Sequence, residues 1–477
     1  MKPAFIFCFA CALLLTAKTT DAQVTSNTNA SGDNGSQVTD SALRLRCGVN
    51  FGNMLEAPNE GDWGLRANDA WFKQIKDAGF DHVRLPISWG YHTAQTAPYK
   101  IDPALLDRVE HLAKACLDAD LKLLINCHHD PNLNQKPVEN KARFLAMWKQ
   151  IAERFRGLPE DRVAFELLNE PHDTLAKSPG LWNGFVVETL KVVRQTNPDR
   201  TVVVGPINYN SISSLNTLEL PDDPNVSVTV HYYLPFDFTH QGAQWVSPPK
   251  PTGIQWDPKE TSIANGWRNE SWQTTTKGNS RGLEVEYQAG WAGIKLRSGK
   301  PHSRPLAIEL QTDAAVKIQV SLVNGDKRTD SVIVTEPNQT RRVKFDSDQM
   351  GESFDTIYLQ NNTPKSQPAF TIRKLALIYA DETQNLLGTA NDSIISDLAT
   401  AAEWGKKHNR VIYLGEFGAY QAADIESRQR WTAAVRSAAE SLQMDWSYWE
   451  FAAGFGIFDP DKQMFKQPLL DALKPRR

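Results

Sequence analysis

From Leu45 the apolar residues fall into a repeating rhythm. Short apolar runs of strand length alternate with longer segments whose apolar positions recur at helical spacing. The strand-like runs read LRCGVNFG, HVRLPISW, KLLINCHH, VAFELLNE, TVVVGPINYN and VSVTVHYY. The helical segments between them include NDAWFKQIKDAGF, PALLDRVEHLAKACLDADL, FLAMWKQIAERFRG and WNGFVVETLKVVRQTNP. In the second of these, Leu106, Val109, Leu112, Ala113 and Cys116 share one face. Continuous apolar strands joined by amphipathic helices predict a parallel sheet buried on both sides. Six such units by Tyr233 favour a closed (β/α)8 barrel over a doubly wound sheet.

The rhythm then changes. From about Trp267 to Asp381 no helical period is present. GLEVEYQ, GIKLRS, PLAIELQT, VKIQVSLVN, SVIVTE, RRVKFD, FDTIYLQ and FTIRKLALIYA alternate at the strand period. Turn residues such as NGD and PNQ separate them, and the series predicts an all-β sandwich. The helical period resumes at IISDLATAAEWGKK, followed by RVIYLGEFG, RQRWTAAVRSAAESL and DWSYWEF. These complete eight strands. The expected fold is therefore α/β, a (β/α)8 TIM barrel with an all-β sandwich inserted after barrel strand 6. Its expected parts are barrel over 43–262, sandwich over 263–384 and barrel again over 385–477.

The first residues follow neither pattern. Met1-Lys2 precedes an apolar run from Ala4 to Leu15, with small residues near Ala22. That arrangement predicts a signal peptide over 1–22. The run is shorter than the about 20 residues a membrane span needs. Residues 23–42 are polar and small, which predicts a flexible linker. A secreted or periplasmic protein follows, with no membrane partner once the signal is removed. A net charge of -4 over 477 residues gives no basic patch for nucleic acid. Without the signal, Cys47, Cys116 and Cys127 remain, which is no disulfide framework; one disulfide stays open. No cysteine and histidine spacing suggests zinc. No cofactor and no metal is expected, and the chain is expected to act as a monomer.

In a (β/α)8 barrel the reactive groups gather at the carboxyl ends of the strands. Those ends carry Arg84, His128 and His129, Asn169 and Glu170, His231 to Tyr233, Glu416, and Trp449. Glutamate is rarely buried without a partner, yet Glu170 and Glu416 each close an apolar run. Strands four and seven face each other across the barrel mouth. Two such carboxyl groups suit hydrolysis of a glycosidic bond, which needs a proton donor and a nucleophile or base. The donor requires a raised pKa and the nucleophile must stay ionised.

Six segments in order, GVNFGNMLEAPNEGDWG, VRLPISW, NCHHD, HYYLPFDFTHQGAQW, LGEFGAY and YWEFAAGFGIFD, resemble glycoside hydrolase family 5. So do NEP after strand four and GEFG on strand seven. The resemblance covers the barrel and not the insertion. It implies a retaining hydrolase with Glu170 as acid/base and Glu416 as nucleophile. It further implies that Asn169 holds a sugar hydroxyl, that Arg84 and Tyr233 position Glu416, and that His128 and His231 bind substrate or orient the carboxylates. Trp449 would be the stacking floor. Asp130 departs from the Tyr or Glu common at that place, which bears on subsite preference.

Glu56, His129, Trp245 and Trp256 are further subsite candidates, with Trp63 beside Glu56. His172 reads as loop structure. Trp267, Trp272 and Trp291 give the insertion a likeness to a carbohydrate-binding module, against a reading as core residues. The favoured function is an endo-β-1,4-glucanase acting on a β-linked polysaccharide. A β-mannanase or mixed-linkage β-glucanase on the same site is the alternative. A non-catalytic carbohydrate-binding barrel is disfavoured by the intact carboxylate pair. A metal site of His128, His129 and Asp130 is disfavoured because neighbours on one strand end do not converge.

Overall fold

The computed structural model describes residues 42–345 and 352–474. The expected signal peptide, and the expected linker apart from Ala42, lie outside them. Eight parallel strands close a barrel: Cys47–Asn50, His82–Ile87, Lys122–Cys127, Val163–Glu166, Val202–Val204, Val226–His231, Ile412–Glu416 and Asp445–Tyr448. Helices connect them on the outside. Local chemistry fixes where those helices begin. Asn68 and Asp102 accept hydrogen bonds from the backbone N–H groups of Ala70 and Ala104 at the starts of Asp69–Asp77 and Pro103–Asp118. The second helix buries Val109, Leu112, Ala113 and Cys116, the expected stripe.

The barrel interior is graded along its axis. At the amino end Leu45, Leu124, Ala164, Val203 and Tyr413 form an apolar plug. Asp445 closes it from below by accepting from Leu45 N at 2.8 Å and from the Arg44 guanidinium. Above the plug the inward positions become polar: Asn50, Arg84, Asn126 and Glu166, all buried. Residues two apart on a strand share a face, so the apolar layer and the polar layer are stacked by the strand period itself.

Between the sixth and seventh barrel strands the chain builds two further sheets. One runs, in spatial order, Lys327–Val334, Lys317–Asn324, Ser353–Asn361, Gly293–Ser303 and Trp267–Asn269. The other runs Thr340–Val343, Ala307–Thr312, Phe370–Ile378, Gly282–Tyr287 and Thr274–Asn279, with Thr383–Asn385 beside Phe370–Ile378. They share an apolar core that includes Leu283, Ile294, Leu310, Ile357 and Leu359, separate from the barrel core. Thr274–Asn279 escapes the sequence reading, since TTTKGN has no apolar alternation. It is an edge strand held by pairing with Gly282–Tyr287. A two-stranded neck, Thr261–Ile263 with Leu387–Thr389, brackets the sheets. The neck runs directly into helix Ala390–His408, where Thr389 and Asp392 form a reciprocal cap.

Two independent cores imply two unfolding events. Leu124→Ala opens a cavity in the barrel plug and Leu359→Ala one in the sandwich, each costing about 2–5 kcal/mol. Scanning calorimetry is expected to resolve two transitions, with each substitution lowering a different one. A single transition shifted equally by both would contradict separate cores.

Candidate active site

Arg84 organises the polar layer. Its guanidinium carries five N–H donors, and each has an acceptor. Nε and Nη2 donate to Glu166 at 2.6 and 2.8 Å. Nη1 donates to Asn50 Oδ1 at 2.8 Å and to Glu416 Oε1 at 2.7 Å. Nη2 also donates to Asn169 Oδ1 at 2.7 Å. The residue is fully buried. One cation on the second strand thus fixes side chains from the first, fourth and seventh strands.

Glu416 receives a second donor, the Tyr233 hydroxyl, on Oε2 at 2.9 Å. Burial pushes the Glu416 carboxyl above the usual range, while His231 and Arg84 oppose the rise. The phenol of Tyr233 is pushed well up by burial and by Glu416, so it remains a donor. The backbone cooperates. Register between strands six and seven shifts between Leu414 and Glu416, a bulge that re-aims the glutamate. Gly415 permits it: a Cβ there would lie 2.4 Å from Thr229 Oγ1.

Glu170 lacks these two donors. No cation touches its carboxyl, and 25% of its side chain faces the cleft. Burial raises its pKa to about 7, against smaller lowering by His172 and Arg84. Its backbone is left-handed, with φ of 51°, a conformation non-glycine residues rarely adopt. Strain of about 1–3 kcal/mol is characteristic of such positions at functional sites. His172 Nδ1 bonds Glu170 O at 2.6 Å, and its ring stacks on Tyr209.

His231 lies between the two acids. Its Nδ1 is 2.7 Å from Glu170 Oε1 and 3.5 Å from Glu416 Oε2. Burial lowers its pKa to about 4, so the ring is neutral near pH 7. Asn210 Nδ2 donates to Nε2 at 3.1 Å, which leaves the ring proton on Nδ1, facing Glu170. Asn208, Tyr209 and Asn210 are all left-handed, with φ of 59°, 63° and 53°, and this turn delivers the Asn210 amide. One oxygen or ring nitrogen from each of Glu170, His231 and Glu416 lies within 4.8 Å of the others. That spacing alone would suit a cation. Arg84 and Tyr233 already occupy both oxygens of Glu416, so the arrangement matches a carboxyl pair poised for proton and nucleophile work.

His128 is buried beside the pair, its Nδ1 bonded to Asn126 Oδ1 at 3.0 Å. Burial drives its pKa well down, and the ring stacks on Trp449 at 5.3 Å with 6° between planes. Trp449 is partly exposed over Gly52, where a Cβ would lie 3.0 Å from the indole. His129 meets His128 edge-on at 4.5 Å and Trp63 at 6.1 Å. Asp130 instead pairs with Arg143 and caps Pro131–Gln135. Trp245 is 41% exposed and meets Tyr420 and Phe455, the latter in contact with Tyr233.

Two candidates are corrected. Trp256 is only 3% exposed and packs in the barrel core. Its backbone N–H donates to Ser427 Oγ, and Arg430 donates to its carbonyl, so it pins its loop to helix Ile425–Ser441. Glu56 is 1% exposed, and its carboxylate accepts from the backbone of Asn53 and Met54. It holds the loop after strand one instead of facing a ligand. The sequence reading missed Asn50, Glu166 and Asn210. Only Glu166 left a signal, an acid in the middle of an apolar strand.

Residues 47–290 match the cellulase family, glycosyl hydrolase family 5. Endoglucanase H of Acetivibrio thermocellus is 40% identical over 198 residues, which is 42% of this chain and 22% of that protein. The chain therefore spans about a fifth of that relative's length. A solved hyperthermophilic endo-β-1,4-glucanase in complex with substrate is 30% identical with a TM-score of 0.62, covering 91% of this chain and 98% of that one. Thermotoga maritima Cel5A, solved in complex with mannotriose, is 31% identical with a TM-score of 0.61, covering 91% and 99%.

The contrast between the two acids is directly measurable. Infrared difference spectra between the wild-type protein and Glu170→Gln are expected to show one carboxyl losing its proton at about pH 7. An unperturbed glutamate would titrate at about 4.3, and that result would remove the basis for treating Glu170 as a proton donor.

Proposed function

This chain belongs to glycosyl hydrolase family 5, and from that premise we propose that it is a retaining endo-β-1,4-glucanase. One observation carries the reading: a cation and a phenol clamp Glu416, while Glu170, within 4.8 Å, has neither and carries a raised pKa. Retaining glycosidases hold their carboxyl groups about 5–5.5 Å apart, against about 6.5–9.5 Å for inverting ones.

In the first step Glu416 attacks the anomeric carbon as the glycosidic C–O bond breaks. Glu170 gives its proton to the departing oxygen, which leaves as a hydroxyl. The product is a glycosyl ester on Glu416 and an ionised Glu170. Forming the ester removes the negative charge beside Glu170. Its proton affinity falls as a result, which keeps it ionised for its second role as base. Glu170 then takes a proton from water, the water oxygen bonds the anomeric carbon, and Glu416 is released as carboxylate.

Asn169 spends Oδ1 on Arg84, so its amide N–H groups are what it can offer a sugar hydroxyl. His128, protonated on Nδ1 toward Asn126, offers Nε2 as an acceptor. Trp449 presents an aromatic surface to the CH face of a pyranose. The N-terminal apolar run supports action outside the cytoplasm. Among the described residues no helix is long and apolar enough to cross a membrane. A mannan-active reading is the second one, motivated by the mannotriose complex of Cel5A.

Side-by-side assays on carboxymethyl-cellulose, mixed-linkage β-glucan, glucomannan and galactomannan test both. Activity is expected on the glucans, falling about a thousandfold or more in Glu170→Gln and Glu416→Gln. Galactomannan as best substrate would replace the glucan assignment, and full activity in either variant would remove the mechanism. Because Glu170 must enter protonated, kcat/KM is expected to fall as pH rises through about 7. A profile flat across that range would assign the proton donor elsewhere.

A further inference from the structure

The sandwich has two outer faces of opposite character. On the face built around Ala307–Thr312 the outward side chains are charged. Glu309 pairs with Lys374 at 2.6 Å and Arg342 at 3.8 Å, and Lys277 stands opposite Glu284. On the face built around Ser353–Asn361, aromatic and amide side chains stand among the cations Lys295, Arg297 and Arg328. Register sets Gln360 between Gln319 and Gly293, and Tyr358 between Ser321 and Lys295. Their chain neighbours Leu359, Val320 and Ile294 turn inward to the core.

Trp272 lies across this second face. A Cβ on Gly293 would come within 2.4 Å of the indole ring, so the absence of a side chain there lets the ring lie down on the strand. The indole Nε1 donates to Trp291 O at 3.2 Å, and Gln360 Nε2 donates to the same carbonyl at 2.8 Å. Tyr358 meets Trp272 edge-on at 5.7 Å. Trp291 itself is 50% exposed and left-handed, with φ of 63°. Two hydrogen bonds thus hold a backbone conformation that keeps a bulky aromatic ring in water, the kind of strained position that accompanies function. Trp267, by contrast, is buried against Phe354 and His302.

We propose that this face is a second glycan site that takes a β-1,4-linked glucan chain on Trp272 and Trp291, with Tyr358, its ring under the Arg328 guanidinium at 5.5 Å, bracing Trp272 edge-on. A β-linked glucose ring has equatorial hydroxyls around its edge and apolar CH faces. The faces suit aromatic rings, and the edge suits the side-chain amides of Gln319 and Gln360. Two of the cations on this sheet are paired: Arg328 donates to Asp330 at 2.6 Å and Lys295 to Glu270 at 2.7 Å. The choice of glucan rests on the reading of the barrel given above.

Affinity electrophoresis of the full chain in hydroxyethyl-cellulose tests it, with Glu416→Gln throughout to prevent digestion. Trp272→Ala and Trp291→Ala are each expected to weaken retention about tenfold, a loss of one aromatic contact's size. Glu284→Ala, on the charged face, is expected to leave retention unchanged. With Glu416 intact, Trp291→Ala is expected to turn over a short soluble cello-oligosaccharide at the parental rate. Trp291 is exposed, so its removal tests the face even if Trp272→Ala misfolds. Unchanged retention in Trp291→Ala, no retention of the parent, or retention on galactomannan alone would overturn the proposal. Failure of the parent to hydrolyse any glucan would instead overturn the barrel reading, since retention is measured without turnover.

Discussion

A guanidinium buried without water must be matched donor by donor, and Arg84 is. Removing one partner from such a cluster strands a charge in a medium that cannot solvate it, at a cost of about 3–5 kcal/mol. The match therefore dictates much else. Glu166 must sit inside a strand that is otherwise apolar. Asn50 and Asn169 must turn their carbonyl oxygens toward the same point. Glu416 must arrive from a bulged strand with one oxygen in reach. The apolar plug of Leu45, Leu124, Ala164, Val203 and Tyr413 below keeps the cluster dry, and dryness gives each of these contacts its strength.

The same cluster separates the chemistry of two identical side chains. Glu170 and Glu416 share a cleft, a neighbouring histidine and burial. They differ in what donates to them. Arg84 and Tyr233 both donate a hydrogen bond to Glu416 and neither donates one to Glu170. His231 is kept from acting as a second cation by its own burial, and Asn210 decides which ring nitrogen carries the proton.

Much of this was legible in the sequence because it is periodic. Strand ends could be located by the change from apolar run to polar residue, and a strand end is where a barrel presents side chains. Hence Glu170, Glu416, Arg84 and His231 could be named from spacing and resemblance. Contacts that join distant elements leave no such trace. Asn50 and Asn210 read as ordinary strand-end or loop amides until the barrel closes around them. Trp256 and Trp245 illustrate the limit for loops: both sit in the segment after strand six, yet one packs under a helix and the other stands in solvent. Glu56 failed for the same reason, since a loop acid that binds its own backbone resembles one waiting for a ligand. In the sandwich, Trp267 and Trp291 have the same chemistry and opposite surroundings, and only Gly293 beneath Trp272 hints at a platform.

The neck gives the insertion an evolutionary meaning. Thr261 and Thr389 are direct partners in a two-stranded ladder, so the chain leaves the barrel and returns to it about 5 Å away. To the barrel, the whole sandwich is geometrically equivalent to a tight turn. Its loop entropy is settled locally by the neck and does not grow with what is carried beyond it. Such a junction can gain, lose or exchange its passenger without asking the eight strands to re-register, which makes the loop after strand six a natural port for new surface.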